Sequence, residues 1–75
     1  MSNDEHIYEA LRETGKKIAD LKEFNIPVIL NTIAEYEEAG ADESFIEQQR
    51  NLLRKVYARV DELEAKAARL LKRLG

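Results

Sequence analysis

The residue types that do chemistry are sparse in this chain of 75 residues and are poorly spaced for it. His6 is the one imidazole, near the start of the chain among Asp4, Glu5 and Glu9. An imidazole is the side chain best suited to proton transfer near neutrality. With no evident partner it completes no Ser/His/Asp constellation, and a solvated surface position is expected. The acids Glu35, Glu37, Glu38, Asp42, Glu43 and Glu47 crowd around Gly40. They lack the alternating spacing and closing bidentate Glu of a calcium loop. The Glu-x-x-His pair of bundle-core di-metal sites is also missing. No Cys is present, which excludes disulfides and thiolate metal sites. No Gly-rich loop is available to cradle a phosphate. The sequence therefore implies no catalytic, cofactor-binding or metal-binding residue, and no small-molecule substrate.

Three further sets bear on binding. Arg50, Arg54, Lys55, Arg59, Lys66, Arg69, Lys72 and Arg73 make the last third basic. No aromatic residue follows Tyr57 and the chain carries a net charge of −3, so a solubilising or charge-pairing face is expected rather than a nucleic-acid surface. Tyr8, Tyr36 and Tyr57 read as half-buried flanks with wet hydroxyls. Gln49 falls at an otherwise apolar core position, where a polar residue either fixes register or sits at an exposed margin.

Positioning these residues falls to helices. Ala, Glu, Lys, Leu and Arg supply 41 of the 75 residues, a bias typical of long helices and coiled coils. Three Gly and one Pro leave room for few turns. A chain of this size buries only about 60% of its extended surface. Without staples it must rely on well-packed helices or on oligomerisation. We expect a single domain over residues 1–75. No apolar run approaches the ~20 residues of a membrane span, and the polar start Met1-Ser2-Asn3-Asp4-Glu5 resembles neither a signal nor a transit peptide. A cytoplasmic or recombinant protein, neither secreted nor membrane-bound, is the expectation. Charge is uneven: residues 50–75 carry a net +5 and residues 1–49 a net −8. That difference favours attraction between the acidic first part and the basic last helix, within or between chains.

Three helices are predicted, at about 3–23, 27–39 and 43–74, in an antiparallel bundle. Ser2-x-x-Glu5 has the form of a capping box. The first apolar stripe is Ile7, Leu11, Thr14, Ile18 and Leu21. Gly15 beside it either admits a close neighbour or weakens the helix; we take the helix as continuous. Phe24-Asn25-Ile26-Pro27 predicts a tight corner, since Pro disfavours helical geometry before it and Asn tolerates the left-handed conformation. A kinked continuous helix is the competing reading. Ile26, Ile29, Leu30, Ile33 and Tyr36 mark the second helix, and Gly40-Ala41-Asp42 the turn after it. The last helix keeps one register, Ile46, Gln49, Leu53, Val56, Val60, Leu63, Ala67, Leu70, Leu74, with steps of 3 and 4 throughout. Such steps make a heptad seam, widened by Phe45, Leu52 and Leu71.

Lengths then matter. At 1.5 Å per residue the last helix is about 48 Å long, the first about 30 Å and the second about 20 Å. A short second helix leaves Val60–Leu74 uncovered, and a bare stripe of that kind marks an interaction surface. The predicted interface is Leu53, Val56, Val60, Leu63, Ala67, Leu70, Leu71 and Leu74. In the alternative arrangement, residues 3–39 form one kinked arm and the chain a helical hairpin that dimerises into a four-helix bundle. Both lead to a homodimer; a compact monomer is the third possibility.

The stretch Asp61-Glu-Leu-Glu-Ala-Lys-Ala-Ala-Arg-Leu-Leu-Lys-Arg-Leu-Gly75, with capped short turns and no Cys or Trp, resembles de novo designed helical bundles. This resemblance implies a protein made to fold, assemble or present a surface, without biological activity. The expected function is a self-associating helical scaffold that is not an enzyme. The alternative is a binding module that offers the stripe of residues 60–74 to a foreign protein partner.

Overall fold

A computed structural model describes residues 4–74 of the chain. Every element in it is helical: α1 (Asp4–Asp20), a π-helical turn (Leu21–Asn25), α2 (Ile26–Glu38) and α3 (Glu43–Leu74). The expected cap at Ser2 or Asn3 and the closing Gly75 lie outside the described residues.

The corner predicted at Phe24–Pro27 does not form. Asp20, Asn25 and Ile26 all keep right-handed helical dihedrals, and no described residue other than Gly40 has a positive φ. The chain passes from α1 through the π turn into α2 as one rod of 35 residues, so the described residues form two helical rods and not three. Spacing explains why. The core stripe Ile7, Leu11, Thr14, Ile18, Leu21 advances in steps of 3 and 4, then jumps five residues to Ile26 before resuming at Ile29, Ile33 and Tyr36. A straight α-helix would turn those last four about 100° away from the first five. The π turn takes up the extra residue. Its closing bond runs from the Ile26 N–H to the Leu21 carbonyl, one residue further back than an α-helix reaches. Pro27 follows in the first turn of α2, where its missing N–H is best tolerated.

The turn at Gly40 forms as the sequence predicts. Gly40 has φ +68°, the Gly40 N–H donates to the Glu37 carbonyl at 3.2 Å and the Ala41 N–H to the Tyr36 carbonyl at 2.9 Å. This paired arrangement closes a helix with a left-handed residue. The Ser44 N–H then donates to Asp42 Oδ1 at 3.4 Å, capping α3. An added Cβ at Gly40 would meet open space, so any cost of a side chain there is conformational. Gly40→Ala is expected to lower stability by about 1 kcal/mol, read from urea denaturation. Gly15 also has open space around it, so it is not there to admit a close neighbour, and α1 runs through it unbroken.

The two rods meet along their length. Lys22 pairs with Glu64 and Glu37 with Arg50, while Asp4, His6 and Ile7 line one groove with Arg73. The result is a rod 59 × 15 × 13 Å in extent. Its core is Ile26, Ile29, Ile46, Val60, Leu63 and Leu70, with Thr14 the one buried polar residue among those described. The expectation that Val60–Leu74 stays bare is therefore overturned. With 35 residues against the 32 of α3, the first rod is long enough to cover the whole seam, and Leu63 is only 2% exposed.

Candidate interaction surface

Of the eight seam residues predicted to meet a partner, the chain uses most for itself. Val60, Leu63 and Leu70 are buried, and Leu53, Val56, Ala67 and Leu74 are half-buried. Leu71 alone lies open, at 58% exposure. Gln49 is half-buried, as is Tyr36, whereas Tyr8 and Tyr57 are exposed.

The large apolar side chains left in solvent sit beside the seam, on its two flanks. One flank holds the residues that directly follow a core position. Lys22 follows Leu21, Glu37 follows Tyr36, Arg50 follows Gln49 and Glu64 follows Leu63. Lys22 Nζ donates to Glu64 Oε2 at 2.9 Å, and Arg50 Nη2 donates to Glu37 Oε2 at 3.3 Å, so charged pairs bridge the rods on this side. Leu30, Tyr57 and Leu71 occupy the same register positions between and beyond those pairs, and all three are exposed.

The opposite flank holds the residues that directly precede a core position, about 150° round each helix. Phe45 precedes Ile46 and Leu52 precedes Leu53, exposed by 54% and 44%. Val28 precedes Ile29 and is 48% exposed, and Phe24, one turn before Val28 inside the π turn, is 69% exposed. Farther from the turn at Gly40 this flank becomes basic. Lys17, Asp20 and Arg59 border a shallow groove over Leu21 and Leu63, and Lys66, Arg69 and Arg73 border another over Leu70.

Electrostatics concentrate at Arg50. Its Nη1 donates to Glu43 Oε1 at 3.0 Å and lies 3.6 Å from Glu47 Oε2, while Nη2 reaches Glu37. The guanidinium thus ties the end of α2 to the first turns of α3. Its pKa is raised, first by the hydrogen bond to Glu43, against a desolvation cost, and then by attraction to Glu43, Glu37 and Glu47. A raised cation pKa adds stability that is lost only as pH climbs through arginine's own range, far above neutrality. Salt, rather than titration of the guanidinium, is what weakens this clasp. Arg50→Gln is expected to lower the thermal midpoint, with a smaller loss at ~0.5 M than at ~0.05 M salt, as read by circular dichroism.

Charge matching between the acidic first part and the basic last helix is only partly used. Glu37–Arg50 has the expected sense, but Lys22–Glu64 runs the other way. Arg54 and Arg59 pair within α3, with Glu47 and Glu62.

His6 is exposed at the end of the rod, in an open groove with Asp4 and Arg73. Among the described residues, no group of three or more His, Cys, Asp or Glu is placed to hold a metal ion. Among the described residues, no helix is long and apolar enough to cross a membrane. In the sequence Phe45, Leu52 and Leu71 read only as a wider seam and Val28 as an apolar flank, while Phe24 reads only as part of the expected corner. The available signal for Val28, Phe45, Leu52 and Leu71 is their position one residue before or after a core position, the heptad flanks; Phe24, inside the five-residue step, carries no such signal. Comparison of the chain with protein-family models, curated proteins and solved structures gives no match.

Proposed function

We propose that this chain is a self-associating structural module without enzymatic activity: an antiparallel helical hairpin, two copies of which form a four-helix bundle. One observation carries the reading. The chain exposes 5723 Å², whereas a monomer of 8.6 kDa is expected to expose about 4,700 Å². That excess, roughly 1,000 Å², resembles the ~800 Å² that each partner of a standard dimer removes from water. Among the described residues, eight large hydrophobic side chains are exposed against six hydrophobic residues buried. A two-helix rod has no way to cover both sides of its own seam, and a second hairpin supplies the missing layer.

A module of this kind needs no cofactor, substrate, nucleic acid or membrane, and the idealised heptads of residues 60–74 suit a designed scaffold. The other reading offers those residues to a foreign partner. It has weaker support, because Val60, Leu63 and Leu70 would first have to leave the chain's own core.

Folding linked to association makes stability depend on concentration. The thermal midpoint is expected to rise by several degrees between ~1 and ~100 μM protein. An unchanged midpoint across that range would count against self-association.

A further inference from the structure

We infer that the second copy docks on one flank only, on its turn-proximal half, with the two hairpins antiparallel and staggered. This rests on the self-association proposed above. The face is made by Phe24, Val28 and Thr32 on the first rod and Phe45, Gln48 and Leu52 on α3. Thr32 has its hydroxyl turned back to donate to the Val28 carbonyl at 2.9 Å, so it offers its methyl group at no cost to hydrogen bonding. Charges at the register positions of this half are limited to Glu35 and Lys55.

Three observations select this face and its occupant. The opposite flank is bridged by Lys22–Glu64 and Glu37–Arg50. A partner there would take both pairs out of water, a penalty that attraction between the charges does not reliably repay. The same flank as the proposed face, farther from the turn, carries Lys17, Arg59, Lys66, Arg69 and Arg73 against Glu13, Asp20 and Glu62. Full-length overlap therefore fails in both directions. Turn over turn, it sets those five cations against the same five in the partner. Turn over tail, it sets Phe24, Phe45 and Leu52 against that charged surface. A stagger about a two-fold axis near the middle of the apolar half matches apolar to apolar and sends the basic ends away from each other. The area suffices: half of the 59 Å rod, at the ~20 Å width of two adjacent helices, offers about 600 Å² in projection before side-chain relief is counted.

The test uses the full chain. Phe45→Glu combined with Leu52→Glu is expected to give a folded monomer, since both positions are open to solvent within the single chain. Leu30→Glu combined with Leu71→Glu, on the other flank, is expected to leave the dimer intact. Phe24→Glu is the milder check should the double variant lose helix by circular dichroism: it is expected to raise the dimer dissociation constant at least tenfold, about 1.4 kcal/mol. Small-angle scattering is expected to give a longest dimension of about 90 Å for the stagger, against about 60 Å for full overlap. A wild-type monomer at every concentration would remove self-association and this face together, leaving the patch to a foreign partner. A dimer split by the Leu30/Leu71 pair and not by the Phe45/Leu52 pair overturns the flank while self-association stands. A dimension near 60 Å overturns the stagger.

Discussion

Leu63→Asp is expected to unfold the chain, not to release a folded monomer. Leu63 is 2% exposed in the centre of the seam, packed between the rods. Removing it costs roughly 2–5 kcal/mol in lost burial and cavity. An uncompensated buried carboxylate adds about 3 kcal/mol or more. Lys17 and Arg59 border the groove over Leu63, but the short Asp side chain keeps its charge away from that rim. The sum equals or exceeds the ~5 kcal/mol at the low end for small domains. Helical circular dichroism at 25 °C should collapse. Leu71→Asp, eight positions on and exposed, should change stability by no more than about 0.5 kcal/mol. A helical, monomeric Leu63→Asp protein would show instead that the seam lies between chains.

Deleting a residue separates the two explanations of the π turn. Removing Glu13 from α1 rotates everything before it by about 100° relative to the rest. Ile7 and Leu11 then leave the face that covers the end of α3, and a loss of about 3 kcal/mol or more is expected. Removing Asn25 does the reverse: the step from Leu21 to the next core isoleucine becomes four, and the stripe fits a plain α-helix. Pro27 would then sit inside a straight helix at a cost of about 3 kcal/mol, so the deletion is paired with Pro27→Ala. The paired variant is expected to melt no lower than the parent and to lack the π turn by NMR. Pro27→Ala alone is expected to keep the turn, because the five-residue step remains. Loss of the turn in that single variant would make proline, and not spacing, its cause.

This one stretch also decides how much of the molecule the sequence made legible. α3 was readable because its stripe repeats without interruption from Ile46 to Leu74 and Asp42 caps its start. The Gly40–Asp42 turn was readable because a left-handed glycine followed by an Asp cap has few other uses. Phe24–Pro27 misled because local propensity and tertiary pattern disagree there. Asn and Pro favour a break, but Ile26, Ile29 and Ile33 gain their burial only if the rod continues. The signal that decides it, a five-residue step in an otherwise regular stripe, is visible in the sequence once both halves are read as one face.

The surface reading inherited that error. A corner at Pro27 shortens the covering helix and leaves Val60–Leu74 bare, whereas a continuous rod covers it. The apolar excess then moves from the seam to its flanks, to Phe24, Phe45 and Leu52. A helix pattern alone could not assign these to solvent, because the same flanking positions are buried in a larger bundle.

Sedimentation equilibrium on the unmodified chain tests self-association most directly. The expected result is a mass twice the 8.6 kDa of one chain at ~50 μM. A single species of 8.6 kDa throughout the accessible range would contradict it.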